Sequence, residues 1–86
     1  MVVTFFSKVD APKRGVLALM KFVNDLIFCE SVADVQHVIT TAPYRDVLSR
    51  YFFVSVKNEA VIVNEYAYPS SDFRSLNKPT FIASLS

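Results

Sequence analysis

Two β-rich runs either side of a single polar break constrain this chain more than any other feature. Tyr51, Phe52, Phe53, Val54 and Val56 precede the break, and Val61, Ile62, Val63 and Tyr66 follow it. Aromatic and β-branched side chains suit a pleated, half-buried surface. The break is Lys57-Asn58-Glu59-Ala60, and asparagine tolerates turn dihedrals. The pattern predicts a β-hairpin across Arg50–Tyr68. A loop of two or four residues sets Val56 opposite Val61, Val54 opposite Val63 and Phe52 opposite Glu65. Phe52, Val54, Val56, Val61 and Val63 then share one face, which is the expected core face. A three-residue loop would shift the partners by one and mix the faces.

The other face would carry Tyr51, Phe53, Ser55, Lys57, Ala60, Ile62, Asn64 and Tyr66. It is more apolar than a fully solvated face. Either a segment of the same chain covers it, through Phe73, Leu76, Phe81 and Ile82, or another molecule does.

The rest of the chain reads as elements that pack on this hairpin. Val2–Ser7 is short, β-branched and aromatic, and reads as a strand that needs a partner strand to stay ordered. Asp10 fits a helix N-cap, with Pro12 in the first turn. Lys13–Phe28 is the clearest helix. Leu19, Leu26, Val23, Val16, Ile27 and Met20 fall within an arc of about 100°, extended by Phe22. Arg14, Ala18, Lys21 and Asp25 take the opposite side, with Lys21 and Asp25 spaced for a surface ion pair. Leu17 and Phe28 lie off the arc and are candidates to touch another element.

Ser31 and Asp34 resemble a capping arrangement at the start of a second helix, about Val32–Thr40. Pro43 either opens a third short helix, Tyr44–Arg50, or kinks a single longer one. Residues 69–86 read as a loop-like tail, in which Thr80–Ala83 is the one candidate for a last short strand. The fold class is therefore α+β in the order β-α-α-(α)-β-β-(β). We expect one domain over residues 1–86. It is a small two-layer sandwich, with helices on one face of a three- or four-stranded, mostly antiparallel sheet.

Composition narrows the function classes. Hydrophobic residues make up 52% of the 86 and charged residues 20%, which argues against disorder and leaves apolar surface for a partner. Nine basic against eight acidic residues give a net charge of +1, no electrostatic footprint for a nucleic acid duplex or an anionic membrane. The single cysteine, Cys29, precludes an internal disulfide and fits a reducing, cytoplasmic setting. The N-terminus does not read as a secretory signal. No uncharged apolar stretch is long enough to span a membrane. The single glycine, Gly15, excludes glycine-rich phosphate loops and the dinucleotide-binding fingerprint.

Candidate chemistry is sparse. His37 lies three residues after Asp34 on the second helix, so the two could form an orienting pair, but no third group completes a catalytic constellation. A metal site needs more histidine, cysteine or clustered carboxylate than this chain has. Cys29 lacks a cationic neighbour or helix N-terminus and reads as a small buried hydrophobe. Asp46, with Arg45 and Arg50, reads as surface pairing. No catalytic, metal or cofactor residues are assigned.

What remains is a non-enzymatic interaction protein, with another protein or a second copy of itself as partner and a homodimer expected. The candidate contact residues are Tyr51, Phe53, Ile62 and Tyr66, with Arg50 and Lys57 at the rim. The size is compatible with a regulatory or inhibitory binding protein, a virus- or phage-encoded one included, or with a subunit of a larger assembly. The alternative is single-stranded nucleic-acid binding, with the same aromatics stacking bases. It suffers from the near-zero net charge.

Overall fold

The computed structural model describes residues 2–5, 9–66 and 79–84 of the chain. The elements run β1 (Val2–Phe5), α1 (Lys13–Ile27), α2 (Val32–Thr41), α3 (Arg45–Tyr51), β2 (Phe52–Lys57), β3 (Ala60–Glu65) and β4 (Pro79–Ser84). The four strands form one sheet in the order β1-β4-β3-β2, with every neighbouring pair antiparallel. This is the α+β arrangement expected from the sequence, with the third helix and the fourth strand both present.

The hairpin has the register of a two-residue loop. Val56 faces Val61, Val54 faces Val63 and Phe52 faces Glu65. Asn58 sits in the turn at φ 54°, a left-handed conformation that asparagine tolerates better than most residues. Phe52, Val61 and Val63 are buried, and Val54 and Val56 pack against the same core. β4 supplies Phe81 and Ala83, both fully buried on that face. The stretch read as a tail therefore contributes a central strand at Pro79–Ser84, and residues 69–78 lie outside the described residues. β1 pairs with β4, so segments near the two ends of the chain meet in the sheet.

Helix α1 lies on the core with Gly15, Ala18, Leu19, Phe22 and Leu26 buried. Its buried face is rotated from the expected arc. Ala18, assigned to the solvent side, is buried, while Met20 and Ile27, assigned to the core, are 61% and 52% exposed. Small residues explain the rotation. Gly15 and Ala18 let the helix approach its neighbours closely, and the bulkier side chains are turned to the flank. A Cβ built on Gly15 would stand 2.8 Å from Cδ2 of Tyr51 and 3.0 Å from its Cγ.

Two further expectations are corrected. The residue before α1 is Pro12, at φ −57° and ψ 160°, and no side chain caps the helix. Asp10 instead donates its backbone N–H to the Glu65 carboxylate, at 3.0 and 3.2 Å, which ties the approach to α1 to the end of β3. Tyr51 belongs to α3, because the helix runs on until the Phe52 N–H closes its last turn on the Leu48 carbonyl. The Ser31 cap forms as expected, with its hydroxyl accepting the Asp34 N–H at 3.2 Å.

The Gly15–Tyr51 contact reverses an ordinary rule. Glycine in a helix interior costs about 1 kcal/mol relative to alanine. Here Gly15→Ala should destabilise the protein by about 1–2 kcal/mol, because the new methyl meets the root of an aromatic ring. Urea unfolding measures it, and in a Tyr51→Ala background the same change should become stabilising.

Candidate functional site

The groups capable of chemistry are largely engaged in holding the fold. The Asp25 carboxylate accepts a 2.5 Å hydrogen bond from the Tyr44 hydroxyl, joining α1 to the start of α3. It therefore has a partner other than the expected Lys21. Asp34 accepts the Glu30 N–H at 3.0 Å through its carboxylate. With that carboxylate turned to the cap, His37 stands exposed on α2 and is not paired with it. Cys29 is buried, and its thiol donates to the Asp25 carbonyl at 3.5 Å. Burial, and secondarily the charges of Asp34 and Asp25, pushes the thiol above its ordinary range, away from the reactive thiolate. The Arg45 guanidinium donates to the Thr40 carbonyl. Among the described residues, no group of three or more His, Cys, Asp or Glu side chains converges as a metal site.

Among the described residues, an uncommitted strand edge lies along β2. The strand order leaves β2 at one edge of the sheet, with β3 on its inner side. The two-residue loop makes Lys57–Ala60 the closing hydrogen-bonded pair, so Phe53 and Ser55 turn their backbone groups toward β3. The Tyr66 N–H, which bonds the Tyr51 carbonyl at 3.0 Å, continues the same phase. Val54 and Val56 therefore direct their N–H and C=O groups outward from the edge.

Beside this edge, between β2 and the α2–α3 corner, is a cleft of about 320 Å³. Val38 and Ile39 line it from α2, Leu48 from α3, and Phe53 and Val54 from β2. Tyr66 also lines it, as do the exposed residues Arg45 and Asp46.

The six residues singled out in the sequence divide between several places. Phe53, 39% exposed, and Tyr66 meet at the cleft. Ile62 is half-buried on the outer sheet face, in a row with Ser55, Ile82 and Thr4. Arg50 is exposed in the last turn of α3, and Lys57 is exposed at the far end of β2. Lys57 lies four residue steps along the strand from Phe53, about 13 Å. Tyr51 leaves the group altogether, since it packs on the helix side over Gly15. The aromatic platform imagined for single-stranded nucleic acid thus loses one of its three rings. Of the residues expected to cover the outer face, Phe81 lies on the helix side of the sheet, while Phe73 and Leu76 fall outside the described residues.

A second surface was not anticipated. Among the described residues, four of the five exposed large hydrophobic ones are on α1 or at its C-cap: Leu17, Met20, Ile27 and Phe28, the last 76% exposed. The sequence signal was available, because Leu17 and Phe28 already lay off the core arc.

No helix among the described residues is long and apolar enough to cross a membrane. Comparison with protein-family models, with curated proteins and with solved structures finds no match to this chain.

The Tyr44–Asp25 bond has a measurable pH signature. Burial holds the Tyr44 phenol well above its ordinary value of 10.0, and the bond to Asp25 adds to the effect. The folded state thus keeps a proton that the unfolded state releases first. The contribution is complete below pH about 10 and is lost as pH rises above it. Tyr44→Phe should cost about 1 kcal/mol at neutral pH, less than a fully buried bond to a charged group because solvent screens this one. In denaturant titrations the gap between the two proteins should narrow progressively above pH about 10.

Proposed function

We propose that this chain is a non-enzymatic protein–protein interaction module that takes an extended segment of another protein onto the outer edge of β2. The observation that carries this reading is the edge of β2, which no other described strand pairs. Edge strands are usually blunted by proline, a bulge or an inward-pointing charge. Between Phe52 and Val56, β2 has none of these, and Lys57 is its only charge. The cleft runs beside the outward N–H and C=O groups. Main-chain pairing would supply affinity, and an apolar side chain entering between Phe53 and Leu48 would supply specificity. Arg45, Asp46 and Arg50 would frame the contact as a polar rim. Such a module serves as a regulatory or inhibitory binding protein, or as a subunit docked into a larger assembly.

Phe53→Glu tests this reading. Phe53 is exposed enough for the substitution to leave folding nearly intact, which circular dichroism and a thermal melt would verify. The tagged wild-type chain should recover a stoichiometric protein partner that survives nuclease treatment, and Phe53→Glu should weaken that partner's binding roughly tenfold or more. A partner held equally well by both forms overturns the assignment. A nuclease-sensitive absorbance at 260 nm in place of a protein would favour single-stranded nucleic acid instead.

A further inference from the structure

The outward backbone groups of β2 limit which strand can lie beside it, and in which register. Phe52, Val54 and Val56 alternate with the residues that bond β3. The Phe52 N–H is already taken, because it closes the last turn of α3 on the Leu48 carbonyl. Beyond Lys57 the chain turns, with Asn58 in a left-handed conformation outside the strand region. Two complete pairing positions are left, Val54 and Val56. A strand that matches this edge has two outward residues of its own, one residue apart. β2 itself is such a strand.

Two copies of β2 laid antiparallel have one register that uses both positions. A register centred on Phe53 or Val54 sets Phe52, whose N–H is taken, against Val54 or Val56 of the second copy. One centred on Val56 or Lys57 brings Asn58 of the turn into the ladder. Centred on Ser55, the register sets Val54 against the second copy's Val56 and the reverse, which makes four N–H to C=O bonds. The same register brings complementary charge together. Lys57, the only charge on β2, comes beside Phe53 of the other copy on the outer face. Phe53 lines the cleft together with Asp46, and both are exposed. The incoming lysine therefore meets an aromatic ring at a cleft that also carries a carboxylate. On the helix side, half-buried Val54 and Val56 cover one another.

We infer that the β2 edge is closed by β2 of a second copy, paired antiparallel about a two-fold axis at Ser55, so that homodimerisation and the docking of another protein's segment exclude one another. The inference rests on the reading of β2 as a docking edge and adds its regulation. Another protein reaches the edge only by displacing the second copy.

Sedimentation equilibrium of the full chain should show a monomer–dimer equilibrium. Val56→Pro removes an outward donor and leaves the ladder to β3 intact, since an edge strand tolerates proline where its N–H faces away from the sheet. It should raise the dissociation constant at least tenfold with an unchanged circular dichroism spectrum, and Lys57→Glu should raise it severalfold. Phe53→Glu, the variant expected to lose the other protein, sets a carboxylate opposite Lys57 and should keep the dimer. Cross-linking reads the register. Facing residues of an antiparallel pair that share no hydrogen bond stand about 4.5 Å apart at Cα, within disulfide reach. In a Cys29→Ala background, Ser55→Cys should form a disulfide dimer on mild oxidation, whereas Lys57→Cys, which faces Phe53, should not. A wild type that stays monomeric at several hundred micromolar overturns the inference and leaves the docking of another protein to its own test. So does a dimer that tolerates Val56→Pro, one lost in Phe53→Glu, or one cross-linked as readily through Lys57→Cys as through Ser55→Cys. A complex with another protein that retains the paired β2 strands overturns the exclusion.

Discussion

The pairing of β4 between β1 and β3 is the contact on which the remaining structure depends. Among the described residues β1 has no other strand partner, and Phe81 and Ala83 complete the buried face that the hairpin begins. The pairing joins Val2 to Ser84, so it closes nearly the whole chain into one loop. Closing so long a loop is entropically costly, and pairing this distant in sequence comes late compared with the hairpin. The hairpin and the helices must therefore offer a preformed apolar surface before β4 and β1 have anything to join. Phe22 and Leu26 of α1, both fully buried, supply that surface from the helix side.

A two-layer sandwich of this size covers one face of its sheet and leaves edges. At one edge β1 is only four residues long, a length that limits pairing with another chain. The other edge, β2, is six residues long, and its outward backbone groups run beside an apolar cleft. The helix layer has a similar asymmetry. α1 packs against α3 and α2, yet it leaves Leu17, Met20 and Ile27 exposed. Burial of apolar surface is the main favourable term in folding, and a small domain completes less of it than a large one. The apolar surface left on β2 and α1 is what a partner can still bury.

The hairpin was legible in the sequence down to its register, because period-two alternation and a short polar break leave few solutions. The Ser31–Asp34 cap was legible for the same reason, being a local rule between neighbours. The rotation of α1 was not. A hydrophobic arc weighs how apolar each residue is, whereas the observed face is chosen by how closely the backbone can approach, which favours Gly15 and Ala18 over Met20 and Ile27. Tyr51 was misplaced because Tyr-Phe-Phe reads as strand by propensity, yet the helix hydrogen bond from Phe52 to Leu48 holds it in α3. β4 stayed ambiguous because a four-residue run after a proline is too short to separate a strand from a tail. Its identity is decided by partners fifteen or more residues away.

The candidate surfaces were only half legible, and the reason lies in what the polar groups do. Asp25, Asp34 and Glu65 each accept a specific hydrogen bond that fixes one segment against another. Cys29 is buried beneath Asp25 and Asp34 with its thiol kept protonated. Asp25, Asp34 and Cys29, which resemble catalytic parts in a linear sequence, are thus engaged within the fold, while His37 stands exposed on α2. The apolar residues show the reverse. Phe53, Met20, Ile27 and Phe28 resemble core in a linear sequence, yet they remain in contact with solvent. Several carboxylates are tied into the fold while these apolar side chains stay in solvent, and that contrast supports the proposal of recognition by apolar contact.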